Sequence, residues 1–194
     1  MPEYIATWLT TRLLRNKLIA ENEKHIYQYS LQVKIEKIVG MIAIIILGYL
    51  LHVFFQTIIF WLFFSSIRKR SGGYHMNSFF GCFLGSIGLY MIFAVGIYPF
   101  ILDHLLVNYF FVILSYITIM LIGSVNHPNM AWTDEEYRAS KKRVYIIATV
   151  ELICIIFTSV VLDDNSYMIF MSYGIILTAL LLIIAKLIKQ EVKV

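Results

Sequence analysis

Arg68-Lys69-Arg70-Ser71-Gly72-Gly73-Tyr74-His75, followed seven residues after the histidine by Cys82, is the stretch on which fold and chemistry both turn. Three consecutive cations hold one side of a bilayer, two adjacent glycines break the helix that precedes them, and an apolar run beginning at Phe79 carries the thiol inward. The pattern sets a base and a nucleophile at the mouth of a membrane segment.

Working outward, five apolar blocks appear at 38–67, 79–102, 105–125, 144–162 and 166–188, and the last four each have the length of one spanning helix. With 60% hydrophobic and 14% charged residues, the chain cannot cover a soluble core with a polar surface, so it is an integral membrane protein. The first block is too long: as one helix it would extend roughly 45 Å, against a hydrocarbon core of about 30 Å.

Charge resolves that excess. All 16 Lys and Arg lie in four places: the N-terminal segment ending at Lys37, the 68–70 cluster, the 138–143 stretch, and the tail at Lys186, Lys189 and Lys193. The other connections hold Asp103 and His104, or Asp163 and Asp164, and no cation. Every basic cluster falls on the cytoplasmic side only if the first block enters and leaves on one side. The sequence therefore predicts a helical hairpin turning near Gly48 to His52, and a fold of six hydrophobic helices, the first two short, with both termini cytoplasmic.

Residues 1–37 are expected to form a separate amphipathic cytoplasmic segment, since Ile5, Trp8, Leu9, Leu13, Ile19, Ile26, Tyr27 and Leu31 recur at roughly helical spacing among charges. Surface anchoring is the plainer role for it, and docking of an amphipathic peptide the sharper one. No signal-peptide pattern is visible there, so the first span is expected to serve as the insertion signal. Residues 126–143 read as a cytoplasmic loop entering a helix, with Thr133 as N-cap and Glu136 completing a capping box. The net charge of +4 suits contact with anionic lipid, and basic residues that flank spans instead of striping one face argue against nucleic acid.

A thiol becomes a useful nucleophile when an imidazole or a positive charge favours its thiolate, so Cys82 needs His75. On one unbroken helix the two would share a face yet sit about 10.5 Å apart along the axis, too far for proton transfer. A backbone break before the thiol is therefore expected. On those two residues alone, an unrelated loop histidine and a small core cysteine are the commoner arrangement; the glycine pair and the basic cluster shift the balance. Backbone N–H groups at the start of the helix bearing Cys82 are the first candidates for an oxyanion hole, with the side chains of Asn77 and Ser78 second. The Arg68, Lys69 and Arg70 cluster reads either as topology charge or as a clamp for an acidic substrate segment. Glu151, inside the fourth spanning block, should face the bundle or a polar cavity, and it is a candidate to orient His75 as well as a structural hydrogen-bonding group. Cys154 reads as a small core residue; no disulfide is expected, and no histidine has metal-ligand spacing. Gly81, Gly85 and Gly88 permit close helix contact, inside the bundle or at a homodimer seam.

The 68–75 motif with Cys82 resembles the signature of the AgrB family, the accessory gene regulator B endopeptidases of Gram-positive quorum sensing. Length, span count and the later Asn126-His127-Pro128-Asn129 are also similar, so the likeness covers nearly the whole chain. The resemblance implies that His75 and Cys82 are the catalytic pair and that Arg70, Gly72 and Gly73 match the family's arginine and paired glycines. It further implies cleavage of an AgrD-like precursor peptide near its C-terminal end, and help in converting the remainder to a thiolactone or lactone, without a cofactor. The competing reading is a non-catalytic peptide transporter, carried by intramembrane Glu151 and the polar breaks at Gly48 and Gly123. A scaffold or lipid-interacting protein without chemistry is a third.

Overall fold

A computed structural model describes residues 2–74, 78–126 and 132–189, and among these the regular structure is entirely helical. Seven helices follow in order: α1 (Pro2–Arg15), α2 (Lys24–Leu50), α3 (Phe54–Ser71), α4 (Phe79–Asp103), α5 (Leu105–Ile122), α6 (Asp134–Val161) and α7 (Asn165–Leu187). Four of them, α4 to α7, are long and apolar enough to cross a membrane.

The N-terminal segment differs from its sequence reading. α1 packs on α2, with Gln28 Nε2 donating to Thr7 Oγ1 at 2.9 Å, so the helix pair is present. But α2 starts at Lys24 and runs without a break through residue 37 into the apolar block. No helix boundary separates an amphipathic segment from a membrane segment, and the first hydrophobic helix is not short. Nothing in Lys34 to Lys37 stops a helix: there is no proline or glycine between Lys24 and Gly40, and a change of polarity alone does not interrupt intrahelical hydrogen bonds.

The first apolar block folds back on itself. α2 ends at Leu50, α3 begins at Phe54, and the turn is closed by Val53 N–H donating to the Gly48 carbonyl at 2.9 Å, with His52 in the left-handed region at φ 59°. Gly48 is required there, because a Cβ would overlap the Thr57 side chain of α3. Both ends of the polar-to-apolar transition then lie together. Desolvation, and after it repulsion from Lys69 and Arg68, lowers the pKa of Lys37.

α7 is the central post. Two-thirds of its most apolar window is buried inside the protein (67%), against 17–28% for α4, α5 and α6, whose remaining apolar surfaces are exposed. Tyr173 stacks on Phe93 of α4 at 3.7 Å and on Phe60 of α3 at 5.1 Å between ring centroids, and its hydroxyl donates to the Leu89 carbonyl at 2.9 Å. Polar side chains in this core find one another, as lipid requires: Asn108 donates to Ser172 at 2.9 Å, Gln56 to Ser166 at 3.0 Å, and Thr57 pairs with the Tyr90 hydroxyl. Within α4, residues Ile92–Ile97 open into a π turn just before Pro99, whose missing N–H cannot continue the ordinary ladder.

α3 and α7 cross at Gly174, where a Cβ would stand 2.9 Å from both Phe63 Cβ and the Phe64 nitrogen. Gly174→Val should therefore destabilise the protein by about 1–3 kcal/mol through overpacking. Gly40→Ala, where a Cβ meets nothing within 4 Å, should be neutral or stabilising by about 0.5–1 kcal/mol. Thermal unfolding of the two variants in one detergent checks the pair; equal midpoints would contradict the close crossing.

Candidate active site

The glycine pair ends α3 as its position suggests. Gly72 (φ 66°, ψ −137°) and Gly73 (φ 112°) both adopt conformations that side-chain-bearing residues avoid, and both are buried. Gly73 has a second constraint: the guanidinium of Arg68 occupies the place a Cβ would take. That guanidinium reaches forward from the last turn of α3, donating from Nη1 to the Gly72 carbonyl and from Nη2 to the Tyr74 carbonyl. Desolvation lowers its pKa to about 10, with the Cys82 thiol acting in the opposite sense. Arg68 is therefore a cation at neutral pH and lies within electrostatic reach of the sulfur.

The surrounding helices hold the same loop. Tyr74 N–H donates to the Leu181 carbonyl of α7 at 3.1 Å, Val125 N–H donates to the Ser71 carbonyl at 2.7 Å, and Ser140 Oγ of α6 donates to the Arg70 carbonyl at 2.8 Å. The segment 123–126 that supplies Val125 is itself buried and anchored, since Tyr137 donates to the Ser124 carbonyl at 3.0 Å and Asn126 exchanges hydrogen bonds with the Trp132 backbone. Beyond it, the capping box at Thr133 and Glu136 is formed as the sequence suggests.

On the far side of the loop, α4 begins at Phe79 with Ser78 as N-cap, its Oγ accepting the Gly81 N–H at 3.1 Å. The backbone break before the thiol is thus in place. Cys82 is the fourth residue of α4, partly exposed, with its N–H donating to the Ser78 carbonyl at 3.0 Å. Ser78 Oγ accepts in the cap, which leaves its hydroxyl proton to donate. Among the described residues the N–H groups of Phe79 and Phe80 have no acceptor, as expected of the first positions of a helix.

His75 and Asn77 lie outside the described residues, as do His127, Pro128 and Asn129. Of the other expected site residues, Arg68, Gly72 and Gly73 are brought together, while Lys69 and Arg70 point elsewhere. They line a separate cavity of about 370 Å³ with Arg143, Trp132 and Glu136. Glu151 is buried at 6% exposure, facing the bundle; one carboxylate oxygen accepts from Ser66 of α3, and the other has no partner among the described residues. No contact among the described residues joins Glu151 to Cys82. Cys154 is partly exposed, not a core residue, because it falls on the flank of α6 that carries exposed Ile153, Ile156 and Phe157. Gly88 likewise faces open space. Sequence reasoning missed Ser140, Val125 and Leu181 as supports of the loop. Only one of these three bonds involves a side chain, and its partner is 70 residues away, so no local pattern marks them.

A family model described as Accessory gene regulator B matches residues 3–185. Among curated proteins, the Accessory gene regulator protein B of Staphylococcus aureus strain Newman and that of strain USA300 are each 27% identical to the chain over 166 residues. The match covers 84% of this chain and 83% of theirs. No solved structure matches.

The loop account has its own readout. Arg68→Gln removes charged donors from two carbonyls, an effect of about 1.5–3 kcal/mol per bond. The Tyr74 amide should then exchange with solvent at least about tenfold faster, while amides in the middle of α7 keep their protection. Unchanged exchange at Tyr74 would show that the three backbone and side-chain contacts from α6, α7 and the 123–126 segment hold the loop without Arg68.

Proposed function

Because the chain belongs to the accessory gene regulator B family, we propose that it is a membrane-embedded cysteine endopeptidase that cleaves the C-terminal part of an AgrD-like precursor. Membership implies a part in processing a quorum-sensing autoinducing peptide; the nucleophile, the base and the ring closure are our reading. One observation carries it. The guanidinium that binds the Tyr74 carbonyl, one residue before His75, is also in electrostatic contact with Cys82. The loop bearing the proposed base and the helix bearing the proposed nucleophile thus share one cation.

In this mechanism His75 takes the thiol proton as Cys82 Sγ attacks the scissile carbonyl. The oxyanion forms at the start of α4, where the N–H groups of Phe79 and Phe80 and the positive end of the helix dipole face it. His75 then protonates the departing amine, leaving a thioester on Cys82. A peptide thiol or hydroxyl displaces the enzyme sulfur, closing a thiolactone or lactone and returning the proton to the Cys82 thiolate through His75. Thioester-for-thioester exchange changes free energy little, so the route depends on limiting water, which a recess between lipid-facing helices does. Arg68 acts through the loop and the field at the sulfur. Gly72 and Gly73 shape the turn that precedes His75, and Lys69 and Arg70, in their separate cavity, supply positive charge to an acidic segment of the precursor away from the cut.

The topology proposed with this mechanism places both termini and every basic cluster in the cytoplasm of a Gram-positive cell, with α2 and α3 as a hairpin inserted from that side. A second reading, a peptide conduit, draws on one observation, the buried Glu151 with an unpartnered oxygen.

Cys82→Ala and His75→Ala should each reduce precursor cleavage by about 10⁴-fold or more, with membrane insertion and peptide binding retained. Cleavage by both variants at wild-type rates would refute the assignment. The conduit reading predicts instead that Glu151→Gln alters peptide translocation while Cys82→Ala does not. In a background lacking the two native cysteines, single cysteines at Lys34 and Lys142 should label from one side and a cysteine at Asp163 from the other. Labelling of Lys34 and Lys142 from opposite sides would exclude the hairpin.

A further inference from the structure

The cavity of about 370 Å³ between the end of α3 and the first turns of α6 collects charge that the protein itself does not balance. Three cations line it, Lys69 and Arg70 from α3 and Arg143 from α6, together with Glu136, Ala139 and Ser140 of α6 and Trp132 just before that helix. Glu136 is the single acid among these residues, and its carboxylate already accepts from the N–H and the hydroxyl of Thr133 in the capping box. Lys69 and Arg143 are exposed and make no hydrogen bond or ion pair among the described residues. Arg70 reaches back to the Ser66 carbonyl with Nη1 alone, at 3.4 Å. Lys37 of α2 lies within repulsive reach of Lys69, so the surroundings add positive charge and do not relieve it. Cations gathered in this way favour an anion between them.

The lining selects the kind of anion. Ala139 is the one aliphatic side chain described there, so an acyl chain has no wall to lie along. The volume is that of a ligand pocket, well above what a single phosphate ion fills. The guanidinium groups of Arg70 and Arg143 are planar forks that match carboxylates two oxygens at a time, and the Trp132 ring gives an apolar side chain between two acids a surface to rest on.

We propose that this cavity seats the acidic segment of the precursor and that Arg143 and Trp132 decide its specificity, the carboxylates pairing with Arg143, Lys69 and Arg70. In the endopeptidase reading, on which this depends, Lys69 and Arg70 already supply charge to that segment; the seat extends across to α6. It is also fixed to the loop before Cys82, because Ser140, on the cavity wall, donates to the Arg70 carbonyl two residues before Gly72. An acidic segment held here sets which peptide bond reaches the thiol.

Binding is read on the full-length Cys82→Ala protein in detergent, by fluorescence anisotropy of a labelled AgrD-like precursor. A second probe is the same peptide with each Asp and Glu of its acidic segment replaced by Asn or Gln, which should bind about tenfold more weakly. Arg143→Gln and Lys69→Gln should each weaken the acidic peptide about threefold to fivefold and leave the neutral one unchanged, so the neutral probe also reports that each variant is folded. Arg143→Glu should weaken it further, and a precursor with Lys in place of those acids should regain affinity for that variant, a reversal that a structural arginine would not allow. Undiminished binding of the acidic peptide by Arg143→Gln, or equal loss of both peptides, overturns the proposal. Displacement of the peptide by inorganic phosphate or by phosphatidylglycerol at matched concentration overturns it too, making the site one for phosphate or for lipid. Cleavage is followed separately with Cys82 in place, where Arg143→Gln should lower kcat/KM by the same factor. If Arg143→Gln cuts as the wild type does while Cys82→Ala does not cut, the seat is refuted and the endopeptidase reading stands; if Cys82→Ala still cuts while the charge reversal holds, the seat stands and that reading is refuted.

Discussion

A partly buried guanidinium that satisfies its donors inside the protein organises the loop ahead of Cys82. Arg68 has no acidic partner among the described residues; it is neutralised by carbonyl dipoles at Gly72 and Tyr74. Those carbonyls can converge only because residues 72 and 73 are glycines, one with φ 66° and the other with φ 112°, and because Gly73 leaves its Cβ position to the guanidinium. Lysine in place of Arg68 could not bridge both carbonyls, since its ammonium is a point charge and not a planar fork. The same cation lies within electrostatic reach of Cys82. One group thus holds a turn of chain in a low-dielectric place and lies within charge range of the residue proposed as nucleophile.

The helices serve that loop. α7 is buried along most of its length and gives the bundle a fixed axis, and its Leu181 carbonyl receives the Tyr74 N–H. α6 contributes Ser140, and the segment leading from α5 contributes Val125. The aromatic stack of Phe60, Tyr173 and Phe93 locks α3 and α4 to α7, so the helix that ends in the basic cluster and the helix that starts before the thiol share a rigid neighbour. Such a frame suits a reaction that needs two side chains from separate elements to meet reproducibly.

Much of this is legible in the sequence for definite reasons. Four apolar runs have the length of a crossing, the glycine pair stops a helix, and Thr133 with Glu136 caps one; each is a local signal. The fold-back of the first apolar block was legible through charge placement alone. Two features were not. The continuity of α2 from Lys24 to Leu50 was hidden because a change from polar to apolar composition resembles a domain boundary, while the backbone needs only uninterrupted hydrogen bonds. The division of the basic cluster was hidden too. Arg68, Lys69 and Arg70 read as one patch, yet successive helix positions diverge by about 100°, sending Arg68 into the loop and the other two to a different cavity. Of the candidate pair, only Cys82 lies among the described residues.

The covalent step is the most direct point of test. Intact-mass and peptide mass spectrometry of the protein quenched in acid after mixing with an AgrD-like precursor should find a peptide attached to Cys82 and released by neutral hydroxylamine, as a thioester is. Cleavage that proceeds with the adduct on Cys154, or with no hydroxylamine-sensitive adduct at any time point while product accumulates more slowly than acylation requires, would contradict a mechanism through Cys82.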